Sequence, residues 1–301
     1  MPLTKKRSVL AIEAEGTPGT VETLVAGDAA FNAYNVSITP NVDLIERDGQ
    51  EALSKLVAIN GGYAGSASFE LDLYTNAAWA GDLLPACGFA GASGGVYAPS
   101  STSSNWGTVT IGHYIDGKLF RLAGAMGSFT MRFRAGQVTR VAFDMTGVWQ
   151  APTDATILSP TFPTATSAAP RWAGASALTL GSQTLLVSQM DIAVTNEVSL
   201  LEDPTDTSGF LRAWIGSRSV GGMMDPQEEL VASWDAHGKG LASTQEALTN
   251  TYGSMSISLP KVQMSVPGPG ERSGVSALQV EFMAARSAAA GDDEMSIDLA
   301  A

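Results

Sequence analysis

Apolar and polar residues alternate with a period of two along most of the chain, the rhythm of half-buried strands. Tyr34 to Thr39 places Tyr34, Val36 and Ile38 on one face. Ser66 to Tyr74 sets Phe69, Leu71 and Leu73 against Glu70 and Asp72. The pattern predicts a hairpin from Trp106–Ile111 and Lys118–Leu122 about Asp116-Gly117. A second joins Ser128–Arg134 to Thr139–Gly147 about Ala135-Gly136, aiming Phe129, Met131 and Phe133 with Val141, Phe143 and Met145 at a core. Strands are also predicted at Leu186–Thr195, Arg212–Val220, Ser254–Met264, Ala277–Ala285 and Glu294–Leu299. Helical spacing interrupts this rhythm in Thr75–Gly88, where Trp79, Leu83, Ala86 and Cys87 recur; Thr75 or Asn76 would cap it and Pro85 would bend it. Pro226–Trp234, with Asp225 as cap, and Ser243–Asn250 read as two further helices.

Punctuation divides the chain. Residues 1–30 read as a polar, extended N-terminal arm. Pro40 to Gly65 is a long polar stretch with turn formers at Asp48-Gly49 and Gly61-Gly62, read as a loop poorly ordered in the monomer. Ala90 to Ser104 is a Gly/Ser-rich connection. Residues 150–175 carry four prolines and read as a linker between β domains at 31–149 and 176–301. Both halves follow one order: strand, acidic loop, strand, helix, hairpin strands. The runs starting at Val36 and at Met190 both pass from alternation into an Asn, a hydrophobic pair and acids, as a duplication would. The expected fold class is mainly β, in two tandem domains of similar fold, each with a short helix.

Charge narrows the function. The net charge is −13, with charged residues only 16% of the chain, so much of the surface is expected to meet protein rather than water. Residues 1–150 hold 10 basic against 13 acidic groups, and residues 151–301 hold 7 against 17. That sign disfavours stable DNA binding, which needs phosphates neutralised. The single cysteine, Cys87, forms no internal disulfide and suits a reducing cytoplasm. The basic start is followed by an apolar run of only Val9 to Ile12, too short for a signal peptide, and no run is long enough to span a membrane.

No catalytic constellation emerges. His237 lies near Asp235 and several serines, but no nucleophile elbow accompanies it, and a solvated or interface histidine is the plainer reading, as for His113. The acidic runs Glu202-Asp203-x-x-Asp206 and Asp292-Asp293-Glu294 lack calcium-loop spacing and read as solvated loops. Trp79 and Trp234 read as packing residues. Phosphate loops, dinucleotide fingerprints and metalloprotease helices are missing. The reading is of a protein without catalysis, cofactor or metal.

The order of several segments carries a resemblance. M-S-I-S-L-P-K-V-Q-M (255–264), G-E-R-S-G-V (270–275), A-L-Q-V-E-F (277–282) and D-E-M-S-I-D-L (293–299) resemble the end of siphophage major tail tube proteins. G-A-M-G-S-F-T-M-R-F-R-A-G-Q-V-T-R-V-A-F-D-M-T-G (124–147), and F-E-L-D-L-Y (69–74) before a short helix, are similar to a first tube domain. The resemblance implies two tandem tail-tube-type β-sandwich or barrel domains, each with a short flanking helix, and a subunit of a non-contractile phage tail tube that conducts DNA in transit. Its implied partners are copies of itself, as a trimeric pseudo-sixfold ring or a hexamer stacked head to tail, with tape measure, tail terminator and distal tail proteins. It implies a virion tail protein assembled in the host cytoplasm. The inner tube of a contractile machine, or a phage adhesin or decoration protein, are the alternatives.

Two residue sets follow. Asp43, Glu46, Arg47, Asp48, Glu51 and Lys55, in the long polar stretch, are expected to bridge to the next ring. Glu70, Asp72, Asp144, Glu281 and Asp298 are expected to face the lumen, where an acidic wall releases DNA; the rival placement is the outer surface. Arg132, Arg134 and Arg140 oppose an acidic wall unless carboxylates pair with them.

Overall fold

The computed structural model describes residues 3–50, 54–91, 94–163, 171–173 and 177–300. The chain is mainly β. In order come β1 (Ser8–Ala14), β2 (Ala33–Asp48), β3 (Lys55–Asp72), β4 (Phe89–Gly91), β5 (Val96–Pro99), β6 (Val109–Ile115), β7 (Lys118–Arg134) and β8 (Arg140–Asp154). There follow β9 (Ala177–Leu180), β10 (Gln183–Thr184), β11 (Val187–Glu202), β12 (Phe210–Pro226), β13 (Gln245–Tyr252), β14 (Met255–Met264), β15 (Gly268–Arg272), β16 (Val275–Ala284) and β17 (Ser296–Asp298). Two short helices interrupt them, α1 (Ala80–Ala86) and α2 (Ala236–Leu241).

The strand pairings are antiparallel and form one extended path. β2 pairs with β3, β3 with β8, β8 with β7, β7 with β11, β11 with β12, β12 with β16 and β16 with β14. β6 lies beside the first part of β7 with β1 on its far side, and β13 lies between β14 and β9. Register aligns Leu71, Val141, Met131, Ile192, Gly222, Phe282 and Met264 across seven strands. Because side chains alternate, the whole row faces one core. Phe69, Phe143 and Phe129 extend it, with ring centroids 5.5 and 5.9 Å apart. Residues from both halves of the chain share this core.

Several expectations change. The polar stretch 40–65 is a two-stranded ribbon rather than a loop, since β2 and β3 stay paired from Ala33–Leu71 out to Asp48–Lys55. Among the described residues nothing covers either face of its outer part, so the alternation that marks a half-buried strand is missing there. Gly61-Gly62 lies inside β3 rather than at a turn, and a Cβ on Gly62 would collide with the Phe210 ring.

The two later helices are also corrected. Pro226 ends β12, and Asp225 accepts hydrogen bonds from the Ser188 and Gln189 amides, both 2.8 Å, instead of capping a helix. The helix starts later, at α2, where the Asp235 carboxylate accepts from the Gly238 amide at 2.7 Å. Residues 243–250 enter β13, with Leu248, Asn250 and Tyr252 inward. Asn250 disguised the period; its Oδ1 accepts from the Trp172 indole at 3.1 Å inside the core.

Other segments keep their character. α1 sits inside the expected helix, though its N-cap is Trp79 without a side-chain cap bond. Residues 8–14 of the expected arm form β1, paired with β6 from Ser8–Ile115 to Ala14–Val109. β8 extends through Asp154 into the proline-rich stretch, where Ala155, Ile157 and Leu158 pack on a small second core. Trp172 fills the main core against Phe133.

Candidate functional site

The face of the sheet opposite the core is polar. One register row runs Asp72, Arg140, Arg132, Asp191, Met223 and Glu281 across β3, β8, β7, β11, β12 and β16. Glu70 lies two residues before Asp72 on the same face, and Asp144 stands opposite Ser68 and Ser128. Four expected carboxylates, Glu70, Asp72, Asp144 and Glu281, thus share one face. Asp298 lies apart on β17, opposite Ser256 and Val96, accepting from the Ala300 amide at 2.9 Å.

The three arginines of this face are paired. Arg132 donates to Glu70 at 2.7 Å and Arg140 at 3.3 Å. Arg134 forms a fork on Asp191, at 2.5 and 3.0 Å, and this bond holds its guanidinium pKa above the ordinary value. Arg140 also covers the Tyr34 ring at 4.1 Å, while the Tyr34 hydroxyl donates to Asp72 at 3.0 Å. Burial first, then Asp72, raises that phenol's pKa. With Asp191 the face holds five carboxylates against three guanidiniums. Its net sign is mildly negative. Asp191 was absent from the expected set, although its outward position between Met190 and Ile192 was legible.

The ribbon is the second feature. Asp43, Glu46, Arg47, Asp48 and Lys55 all lie on it; Glu51 lies outside the described residues. Lys55 pairs with Glu46, and Arg47 donates to the Val57 carbonyl at 3.0 Å. Between these charges stand Leu44, Ile45, Leu56, Val57 and Ile59, all exposed, Val57 to 85%. Water is a poor permanent neighbour for so much apolar surface on a paired ribbon. The ribbon's root rests on the β11–β12 end, where the Tyr63 amide donates to the Ser208 carbonyl at 2.9 Å.

The remaining candidates are structural. Arg218, only 12% exposed, donates to Glu294 at 2.7 Å and Asp292 at 3.1 Å, and to the Gly88 and Ser100 carbonyls, each at 3.2 Å. That accounts for the acidic run at 292–294. Asp203 and Asp206 close the β11–β12 turn by accepting from Thr205 and Ser208 amides. His113 is buried, which pushes its pKa down to about 4. Trp79 donates to the Asp72 carbonyl at 3.1 Å, a packing role.

A continuous antiparallel sheet, a polar face with paired arginines and an apolar ribbon projecting from the body define a β-rich protein with the features of a structural subunit. A family model described as phage tail tube protein matches residues 5–284 of the 301, and the chain belongs to that family. It is a structural component of a phage tail. Comparison with curated proteins returned no match.

Proposed function

We propose that this chain forms a non-contractile tail tube, joining laterally into rings and stacking head to tail, with the polar sheet face lining the channel for DNA. The ribbon's exposed apolar residues carry this reading, because only a further copy or partner would cover them. Glu70, Asp72, Asp144 and Glu281, with Asp191, would keep the wall from trapping a polyanion, the arginines being locked in ion pairs. Asp298 enters this lumen set only if the channel extends along β17.

The halves are read as one duplicated unit, 31–149 and 176–301. Neighbour order supports this: β2–β3–β8–β7–β6 in one half, β11–β12–β16–β14–β13 in the other, with a helix after the second strand of each. The β7–β11 joint would then be the inside-chain version of a joint between chains, and three chains would give a pseudo-sixfold ring. Tape measure, terminator and distal tail proteins are the further partners proposed. Negative-stain microscopy of the purified protein tests the reading: hollow tubes are expected, while only monomers or discrete trimers would overturn it.

A further inference from the structure

Resting on that stacking, we infer that the outer β2–β3 ribbon, at Leu44, Ile45, Leu56, Val57 and Ile59, seats in a groove at the base of the next copy, formed by Trp172, Leu178, Leu185, Leu186 and Val187. The groove has a volume of about 390 Å³ and is bounded by Ala135, Gln227 and Arg272. It lies at the β7–β8 turn: the Ala135 amide donates to the Ser188 carbonyl at 2.8 Å, and the Gly136 amide to the Trp172 carbonyl at 3.0 Å. Strand β3 reaches this end at Asp72, opposite Arg140. From there it runs 18 residues to Lys55, roughly 60 Å at about 3.3 Å per residue. The ribbon tip and the groove therefore lie at opposite ends of one copy and cannot meet within it.

Both ends are apolar. Leu186 in the groove is 62% exposed, and Val138, Leu230, Val231 and Val275 are exposed around it. They are tied together there, since the Gln227 amide donates to the Leu186 carbonyl at 2.8 Å and the Glu228 amide to the Ser276 carbonyl at 3.1 Å. Two different apolar patches on opposite ends are a heterologous pair, which propagates as an open filament when copies align. Charge is compatible: Asp43, Glu46 and Asp48 outnumber Arg47 and Lys55 on the described ribbon, and Arg171 stands beside the groove, while Arg272 is held by Asp225 at 3.7 Å. The partner is thus a second copy of this chain.

The test is a cysteine pair, Val57→Cys with Leu186→Cys, read on assembled tubes after oxidation. The native Cys87 is fully buried and stays silent. A ladder of dimers, trimers and longer species on a non-reducing gel is expected from the pair, and none from either single variant. Leu186→Asp, at an exposed site, should leave the melting temperature nearly unchanged and reduce tube elongation at least tenfold. Tubes that form but give no ladder, with Leu186→Asp elongating normally, would sink the groove and spare the tube reading. If the unmodified protein yields no tubes at all, the tube reading itself fails, and this inference with it.

Discussion

Asn196 on β11 donates through its Nδ2 to the carbonyl of Gly127 on β7, 2.6 Å away, just beyond the last backbone pair that joins the two halves. The same Nδ2 donates to the Cys87 carbonyl at 2.9 Å, and the Asn196 amide donates to the Ser128 hydroxyl at 2.9 Å. One buried side chain thus ties the second half to the end of α1 and to β7. Gly127 itself is required by the neighbouring β8, because a Cβ there would strike the Asp144 carbonyl and Met145. Asn196→Leu leaves the two carbonyls buried without that donor and should cost about 2 kcal/mol. Denaturant unfolding checks it; a cost below about 0.5 kcal/mol would mean that this bond does not hold the halves together.

Glu15 anchors the N-terminal segment. Its carboxylate accepts from the Gly19 amide at 2.7 Å, the Thr108 hydroxyl at 2.6 Å, the Thr110 hydroxyl at 2.9 Å and the Gly124 amide at 2.6 Å. Glu15→Ala strands these donors in a buried site and should cost about 3 kcal/mol. Proteolysis provides a second readout, since residues before β2 should become cleavable. Unchanged stability and unchanged cleavage would refute the anchor.

Glu13 and Asp82 should each lose a stabilising contribution as pH rises towards neutrality. Burial, then the Asp28 hydrogen bond and neighbouring carboxylates, push Glu13 up to about 7 from 4.5. Burial and Asp28 push Asp82 up to about 6 from 3.8. A carboxyl whose folded pKa is raised holds its proton more tightly in the fold, so its contribution is full below the unfolded pKa and lost as pH climbs through the folded one. The window runs from 4.5 to about 7 for Glu13 and from 3.8 to about 6 for Asp82. Buried His113, pushed down to about 4 from 6.5, acts in the opposite sense over much of this range, so the readout is a difference: Glu13→Gln should gain stability relative to the unmodified protein as pH rises from 4.5 to about 7. A difference between the two proteins that stays constant across that window would contradict the assignment.

The charge of the polar face can be reversed without touching the core. Glu70→Gln, Asp144→Asn and Asp191→Asn together leave Asp72 and Glu281 against Arg132, Arg134 and Arg140. Tubes should still assemble, but DNA should be retained inside them at low salt and released at high salt. Particles carrying the variant should deliver their genomes more slowly. If retention equals that of the unmodified tube, this face does not line the channel.

Deleting residues 46–58 removes only the outer ribbon, whose described side chains lie largely in solvent. The subunit should fold with nearly unchanged unfolding behaviour yet fail to elongate in microscopy. Normal tubes from this deletion would show that stacking uses another surface.

The alternating runs determined the strands, because a half-buried strand must repeat every two residues whatever lies across from it. Phe69, Leu71, Phe129, Met131, Val141 and Phe143 were legible as core from that period alone, and the Asp116-Gly117 and Ala135-Gly136 turns from their residues. The period failed where a residue's environment depends on a distant partner. Asn250 looked out of place in a strand until the Trp172 indole met it, and Asp225 looked like a helix cap until the Ser188 and Gln189 amides claimed it. The ribbon from Asp43 to Ile59 was not legible as strands because its described residues have no buried face within the described chain. That Asp191 neutralises Arg134, and Glu70 both Arg132 and Arg140, was decided only by register, which sets strands from distant parts of the chain side by side. Local pattern encodes which face a residue takes; only pairing in three dimensions decides what it faces.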